Sequence, residues 1–479
     1  MNSPQAPPAP PLYRLRWLAL AAVLVAEIMD LIDATVVGIA APSIRDDLGG
    51  DGTTIQWIAA GYTLAFAVGL ITGGRLGDLY GRRRMFLVGL VGFIVASALC
   101  GFATSPEMLI GSRVVQGLFG AVLIPQGFGI VKSMFPPAEL GKAFGAFGPT
   151  IGLAVIVAPI LGGALIAWDL AGAGWRTVFL INLPVGLICL VLAARALPES
   201  RSADGPRPDP VGALLVSAGL VLLVFPLVQG RELGWPAWIL WMLAASVPVL
   251  AGFAAHQLRR RRAGRSPLVE PALFRQRAFT AGMIVGLVFF AGMVGMILVL
   301  GLYLQLGLHF TPLQAGLAQA PWAVGVAIGA GLSGAVLGPR FGRSVVQVGA
   351  VLMAAGIGGT LLTLALVDGP VSGWQLAPAL LLCGFGMGLF MSPYFDIVLA
   401  GVSLPMVGSA SGVLNANQQL GGAAGVAVLG TIFFTLFDAG DATGAVEAAL
   451  WATGGLILLS GLLAGLLPRR ARAEAELVG

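Results

Sequence analysis

The sequence is short of charge. Only 10% of its 479 residues are Asp, Glu, Lys or Arg, against about 25% in soluble proteins. A deficit of that size over a whole chain excludes a water-solvated globule and implies that lipid solvates most of the surface. Cysteine is nearly missing, with Cys100, Cys189 and Cys383 each inside an apolar run. None has metal spacing or a loop partner, so they read as small core residues and no metal site is implied. Histidine occurs twice, His256 and His309, both at the ends of apolar runs. No nucleophile–base set or phosphate-cradling loop stands out, so neither an enzyme nor a bound cofactor is expected. No polar stretch is long enough for a soluble signalling domain, which argues against a membrane receptor.

What the chain does have is apolar length. Hydrophobic residues make up 57%, the mean hydropathy is +0.92, and there are 70 glycines and 30 prolines. Glycine and proline are both commoner in membrane helices than in soluble ones. A bilayer core needs about 20 apolar residues per helix. Spans are predicted at 18–40, 55–75, 85–104, 107–131, 143–167, 177–197, 210–230, 236–256, 278–303, 314–338, 344–367, 375–399, 409–436 and 444–467. With the N-terminus in the cytoplasm, 23 of the 27 Lys and Arg fall in cytoplasmic segments. Arg45, Arg176 and Arg231 fall outside and Arg113 lies within a span. That bias obeys the positive-inside rule, and an even number of spans puts both termini in the cytoplasm. The net charge of +5 therefore orients the chain in a membrane and implies no nucleic acid partner.

The expectation is an all-α membrane protein of fourteen transmembrane helices. Residues 1–17 form a cytoplasmic tail, 18–198 a first six-helix bundle, and 199–277 a linker with two extra helices. Residues 278–468 form a second six-helix bundle and 469–479 a final tail. A faint internal repeat supports two halves. Gly74-Arg75-Leu76-Gly77-Asp78-Leu79-Tyr80-Gly81-Arg82 follows the second helix, and Gly338-Pro339-Arg340-Phe341-Gly342-Arg343 follows the second helix of the second half. Repeated halves are how many transporters are built.

Charge inside the spans marks the candidate site. Glu27, Asp30 and Asp33 fall within about 120° of one another on a helix, which makes a stripe facing one cavity. Arg113 in Arg113-Val114-Val115-Gln116-Gly117 must also face a partner or water, because a membrane-centred arginine costs at least about 2.5 kcal/mol. It either faces the bundle interior or snorkels to the outer interface. Asp33 is either a proton carrier or a structural partner of Arg113. Asp396 is the only acid well inside a span of the second half, and it is either interfacial or a coupling site.

These residues carry a resemblance. The loop from Gly74 to Arg84, with Gly74, Gly77, Asp78, Gly81, Arg82 and Arg83, resembles the signature of the major facilitator superfamily and implies a conformational gate. Arg113-x-x-Gln116-Gly117 resembles that superfamily's fourth-helix motif, whose arginine is linked to proton transfer. Leu31-Ile32-Asp33-Ala34-Thr35-Val36-Val37 resembles the first helix of its fourteen-helix drug:proton antiporters, although Gly38 stands where they usually have Asn. Ala154-x-x-x-Ala158-Pro159-x-x-Gly162-Gly163 resembles the exporters' antiporter motif, with alanines replacing two glycines. Trp175 to Pro184 and Ser411 to Gly422 are typical of the same family, without the arginine that many members carry at the position of Gln418.

The resemblance implies a monomeric exporter in the bacterial plasma membrane. It would move lipophilic, cationic or aromatic drugs by alternating access against protons, with Asp33, Asp30, Glu27 and Arg113 as the coupling residues. Export of an endogenous metabolite or self-made antibiotic, or passive facilitation, are the alternatives. Asn415, Asn417, Gln418, Gln419, Phe289, Tyr303 and Trp322 are candidates to contact the substrate, each aromatic being equally able to pack in the core.

Overall fold

Backbone amides in hydrocarbon have no water to bond, so each apolar run closes its own hydrogen bonds as a helix. The computed structural model describes residues 13–470 apart from 50–51, 170–171, 201–207, 231–232, 368–370, 404–405 and 438. Most of both tails and of residues 199–209 lies outside the described residues, including Arg201, Arg207 and Arg472, and so does Arg231. Among those described, the secondary structure is helical, with no strand.

In chain order the long helices begin with α1 (Arg16–Leu48), α2 (Gly52–Tyr80), α3 (Arg82–Gly101), α4 (Pro106–Met134), α5 (Phe147–Trp168) and α6 (Gly174–Ala196). Then come α7 (Pro210–Gln229) and α8 (Ala237–Arg262). They are followed by α9 (Arg277–Gly307), α10 (Gln314–Phe341), α11 (Arg343–Leu366), α12 (Gly373–Ala400), α13 (Val407–Phe437) and α14 (Ala442–Leu466). Among the described residues, eleven of them, α3, α4 and α6 to α14, are long and apolar enough to cross a membrane.

Local chemistry sets the helix starts. Ser105 accepts a hydrogen bond from the Met108 N–H, and Pro106 opens α4. Reciprocal capping boxes, Thr311 with Gln314 and Ser372 with Gln375, begin α10 and α12. Helix α1 runs eight residues beyond its expected end, because Asp47 there accepts bonds from Trp175 Nε1 (3.0 Å) and Arg176 (2.6 Å). A separate short helix, Pro137–Gly145, covers part of the expected connection and the first residues of the expected 143–167 span.

Helices α1 to α6 pack among themselves, as do α9 to α14. The two groups meet where α5 crosses α10 and α2 crosses α13, a pseudo-symmetric pair of contacts. The α7–α8 hairpin lies outside both groups, against α2 and α13. We call the end of the molecule that carries the start of α1 and the arginine-rich turns the basic end. There the halves touch closely. Ser392 Oγ donates to the Gly141 carbonyl (3.1 Å). The Lys132 ammonium, at the end of α4, donates to the Leu399 carbonyl and, at 2.6 Å, to that of Val402 just after α12.

Asp209 ties the hairpin down at the same end. It caps α7 through the Gly212 N–H (3.0 Å) and bonds His256 (3.0 Å) and Gln257 (3.0 Å) on α8. Burial pushes its carboxyl up, but these donors and the Arg260 charge more than offset that and hold it below the usual carboxylate range.

Candidate functional site

The fourth-helix motif works through size as well as charge. A Cβ on Gly117 would collide with the Tyr62 carbonyl, so only glycine lets α4 cross α2 this closely. That crossing, one turn from Arg113, places the Tyr62 ring under the guanidinium, 4.1 Å from its carbon. Five helices then contribute polar groups to one dry point.

Asp33 on α1 is 1% exposed and Arg113 on α4 is fully buried. Arg113 Nη1 lies 2.5 Å from Asp33 Oδ2 and 2.7 Å from Gln116 Oε1. Arg113 Nε donates to the Ile58 carbonyl of α2 at 3.3 Å. The other carboxylate oxygen, Asp33 Oδ1, accepts from Gln116 Nε2 (2.9 Å) and from Asn182 Nδ2 on α6 (2.7 Å). Ser97 Oγ on α3 accepts from both amides, at 2.7 and 3.1 Å. The carboxylate thus has three donors, one of them a cation, the condition under which a buried charge is tolerated.

Asp30 sits beside this cluster, 7% exposed, and accepts a hydrogen bond from the Tyr62 hydroxyl. Glu27, one turn further back, is partly exposed. The acids do share a helix face. In this conformation, however, Asp33 is buried against Arg113, Gln116 and Asn182 and Asp30 against Tyr62, so among the described residues the expected stripe facing one cavity is instead packed against side chains. Of the two alternatives for Arg113, the structure has it paired to Asp33 rather than snorkelling. Gln116 and Asn182 lay within quoted motifs but had no role assigned, and Tyr62 and Ser97 were not singled out. The signal was their polarity within apolar spans.

The gate residues come together at the basic end. Asp78 is fully buried between Arg75 (3.2 Å) and Arg82 (2.9 Å). Gly81 turns the chain with φ +100°, a conformation other residues rarely adopt. Arg82 N donates to the Ser200 carbonyl and Arg83 to that of Ala194, so the turn is bound to the far end of the same half. Gly77 faces Gln126. A Cβ on Gly74 would lie 2.5 Å from the Gly408 carbonyl of α13, so this glycine is where the halves touch.

In the antiporter motif, Ala154 and Ala158 are buried against Ile32 of α1, next to Asp33 in sequence. Gly162 is buried and Gly163 partly so. The side chain of Pro159 lies outside the described residues.

The substrate candidates do not converge. Phe289 is fully buried and stacks on Phe390 (centroids 3.8 Å apart), so it is a core residue of the second half. Tyr303, also buried, packs over Gly307 at the end of α9. Trp322 is buried, with its Nε1 lacking a partner among the described residues. Asn415 bonds the Ser411 carbonyl of its own helix, and Asn417 bonds the Met283 carbonyl of α9. Gln418, whose Nε2 is buried without a partner among the described residues, and Gln419 are partly buried. A cavity of about 820 Å³ lies elsewhere, between α10 and α12, lined by Phe310, Leu317, Pro321, Val324 and Trp374.

The model of the Major Facilitator Superfamily matches residues 23–426, which contain the cluster, the gate and the crossing of the two halves. The chain belongs to that superfamily. It is 53% identical over 91% of its length to a Streptomyces coelicolor protein named "Probable actinorhodin transporter", covering 76% of that protein. It is 36% identical to the tetracenomycin C resistance and export protein of Streptomyces glaucescens (89% and 77% covered). It is 34% identical to the multidrug efflux pump LfrA of Mycolicibacterium smegmatis (88% and 81%). Among solved structures it resembles the human organic anion transporter MFSD10, at TM-score 0.63 and 17% identity, covering 95% of this chain and all of that one. It also resembles the proton:xylose symporter XylE, at TM-score 0.65 and 16% identity (93% and 94%). At such identity these structures speak for the fold alone. The chain is thus a multi-pass membrane transporter of the Major Facilitator Superfamily.

Proposed function

We propose that this protein is a proton-coupled antiporter that exports small antibiotic-type organic molecules by alternating access. Asp33 is the proton-carrying group. The observation that carries the reading is the Asp33–Arg113 pair, sealed among five helices with every carboxylate oxygen bonded. A proton on Asp33 would cancel its charge and strand a buried guanidinium. The helices must then shift until Arg113 is satisfied again, which links proton binding to rearrangement. One proton crossing about 100 mV and one pH unit yields about 3.7 kcal/mol. That sustains a gradient of a neutral compound of a few hundredfold.

The relatives named for actinorhodin and tetracenomycin C favour export of an antibiotic made by the cell itself over general drug efflux. We further read α1, α2 and α5 as membrane crossings, each longer than the roughly 20 residues a bilayer needs. That gives fourteen, with both termini in the cytoplasm of a bacterium, the basic end inside, and a monomer in the inner membrane without cofactor or enzymatic activity.

The test is transport in proteoliposomes with an imposed pH gradient and ethidium as the first probe, then an antibiotic panel. Asp33→Asn should insert normally and lose gradient-driven transport. Undiminished transport by the correctly inserted variant would refute the reading.

A further inference from the structure

Asp33 is not the only carboxylate within reach of Arg113. Asp30 lies one turn earlier on the same face of α1. Tyr62 links Asp30 and the arginine in an unusual way. Its ring face carries the guanidinium at 4.1 Å, while its hydroxyl donates to Asp30 Oδ1. The Phe179 ring centroid also lies 5.7 Å from the guanidinium carbon, and Gly120 and Phe66 wall Asp30. Tyr62 itself is 3% exposed. The charged and titratable groups facing this point are Glu27, Asp30 and Asp33 on α1, Tyr62 on α2, Cys100 on α3 and Arg113 on α4. Helix α6 contributes only the uncharged Asn182.

A stranded guanidinium in a dry site needs another anion, and a flat aromatic face is a surface along which a guanidinium can slide while remaining attracted. We propose that Tyr62 is a positioning residue that makes Asp30 the second counter-ion of Arg113, so that the guanidinium swaps between the two acids along the tyrosine ring. The hydroxyl donates to the Asp30 carboxylate and so holds it beside that ring. A proton from one side binds Asp33 Oδ2, Arg113 moves to Asp30, and release of the same proton to the other side returns Arg113 to Asp33. Tyr62 gains and loses no proton. The proposal rests on Asp33 being the proton carrier.

The experiment is gradient-driven ethidium transport in proteoliposomes across a pH series, for Tyr62→Phe, Asp30→Asn, the double variant and Asp33→Asn. Without the second counter-ion, Asp33 is harder to protonate. Each single variant should therefore displace the pH profile of transport toward acid by about one unit, a tenfold change in proton demand. The double variant should match Asp30→Asn alone, because both act through one contact. A uniform loss at every pH with an unshifted profile, or single effects that multiply in the double variant, would overturn the proposal by making Tyr62 merely structural. An unaffected Tyr62→Phe beside an inactive Asp33→Asn would overturn it while leaving Asp33 in place. An active Asp33→Asn would overturn the proton reading itself. Should Tyr62→Phe fail to insert, the profile of Asp30→Asn decides, since an unshifted profile there removes the second counter-ion.

Discussion

Replacing Lys132 with methionine should open the basic end. Lys132 reaches from the first half to two main-chain carbonyls of the second, Leu399 at the end of α12 and Val402 just beyond it. Methionine keeps most of the length and removes both bonds. A charge-assisted hydrogen bond contributes about 1.5–3 kcal/mol. Water entering the loosened contact re-satisfies part of what is lost, so a net penalty of about 2 kcal/mol is a fair magnitude. It falls only on the closed arrangement, because the bonds cross between halves. The ratio of closed to open molecules should then drop about 30-fold. Ser133 and Ser403 are exposed on the two sides of this contact, and the three native cysteines are buried. Spin labels on cysteines at 133 and 403 would report the gap by pulsed electron resonance in nanodiscs. The variant should add a long-distance population that the parent lacks. A distance distribution identical to the parent's, in monodisperse protein, would refute the reasoning.

Other outcomes follow from the same contacts. Gly74→Val should also weaken basic-end closure, by about 1–3 kcal/mol, since its side chain meets the Gly408 carbonyl; the 133–403 label pair checks it. Arg113→Lys should cost about 3 kcal/mol of stability, because lysine cannot bond Asp33, Gln116 and Ile58 together and one buried charge is left ill-matched; thermal unfolding in detergent measures it. Asp209→Asn should loosen the α7–α8 base by about 1–2 kcal/mol, read as faster hydrogen exchange at Leu268, whose amide bonds Gln257. Because the Asp209 carboxyl is held below its usual range, its stabilisation is complete above the ordinary value of about 4 and fades only as pH falls below it. In the parent, Leu268 exchange, corrected for intrinsic rate, should therefore stay slow at pH 5 and rise only at stronger acid.

The charged half of the site was legible because ionisable residues in apolar spans are rare and must find one another. Asp33, Asp30 and Arg113 stood out on that ground alone. Tyr62, Ser97 and Asn182 did not, since uncharged polar residues are ordinary in membrane helices. Their role depends on how closely α2 and α4 cross at Gly117, which is a property of packing. The aromatic candidates failed for a related reason. Phe289 and Tyr303 lie on one helix, α9, whose every face is apolar, so periodicity cannot separate a cavity wall from a core. Lys132 looked like one more basic residue obeying membrane topology, although its ammonium in fact joins the two halves. The short helix Pro137–Gly145 escaped notice because nine residues are too few for a periodic signal.

The most direct test of Asp33 as the proton carrier is proton release on ligand binding. Purified protein in weakly buffered detergent solution is mixed with a transported compound and the pH is followed with an indicator dye. The account predicts a release of protons by the parent and none by Asp33→Asn of equal binding capacity. Equal release from both would contradict it.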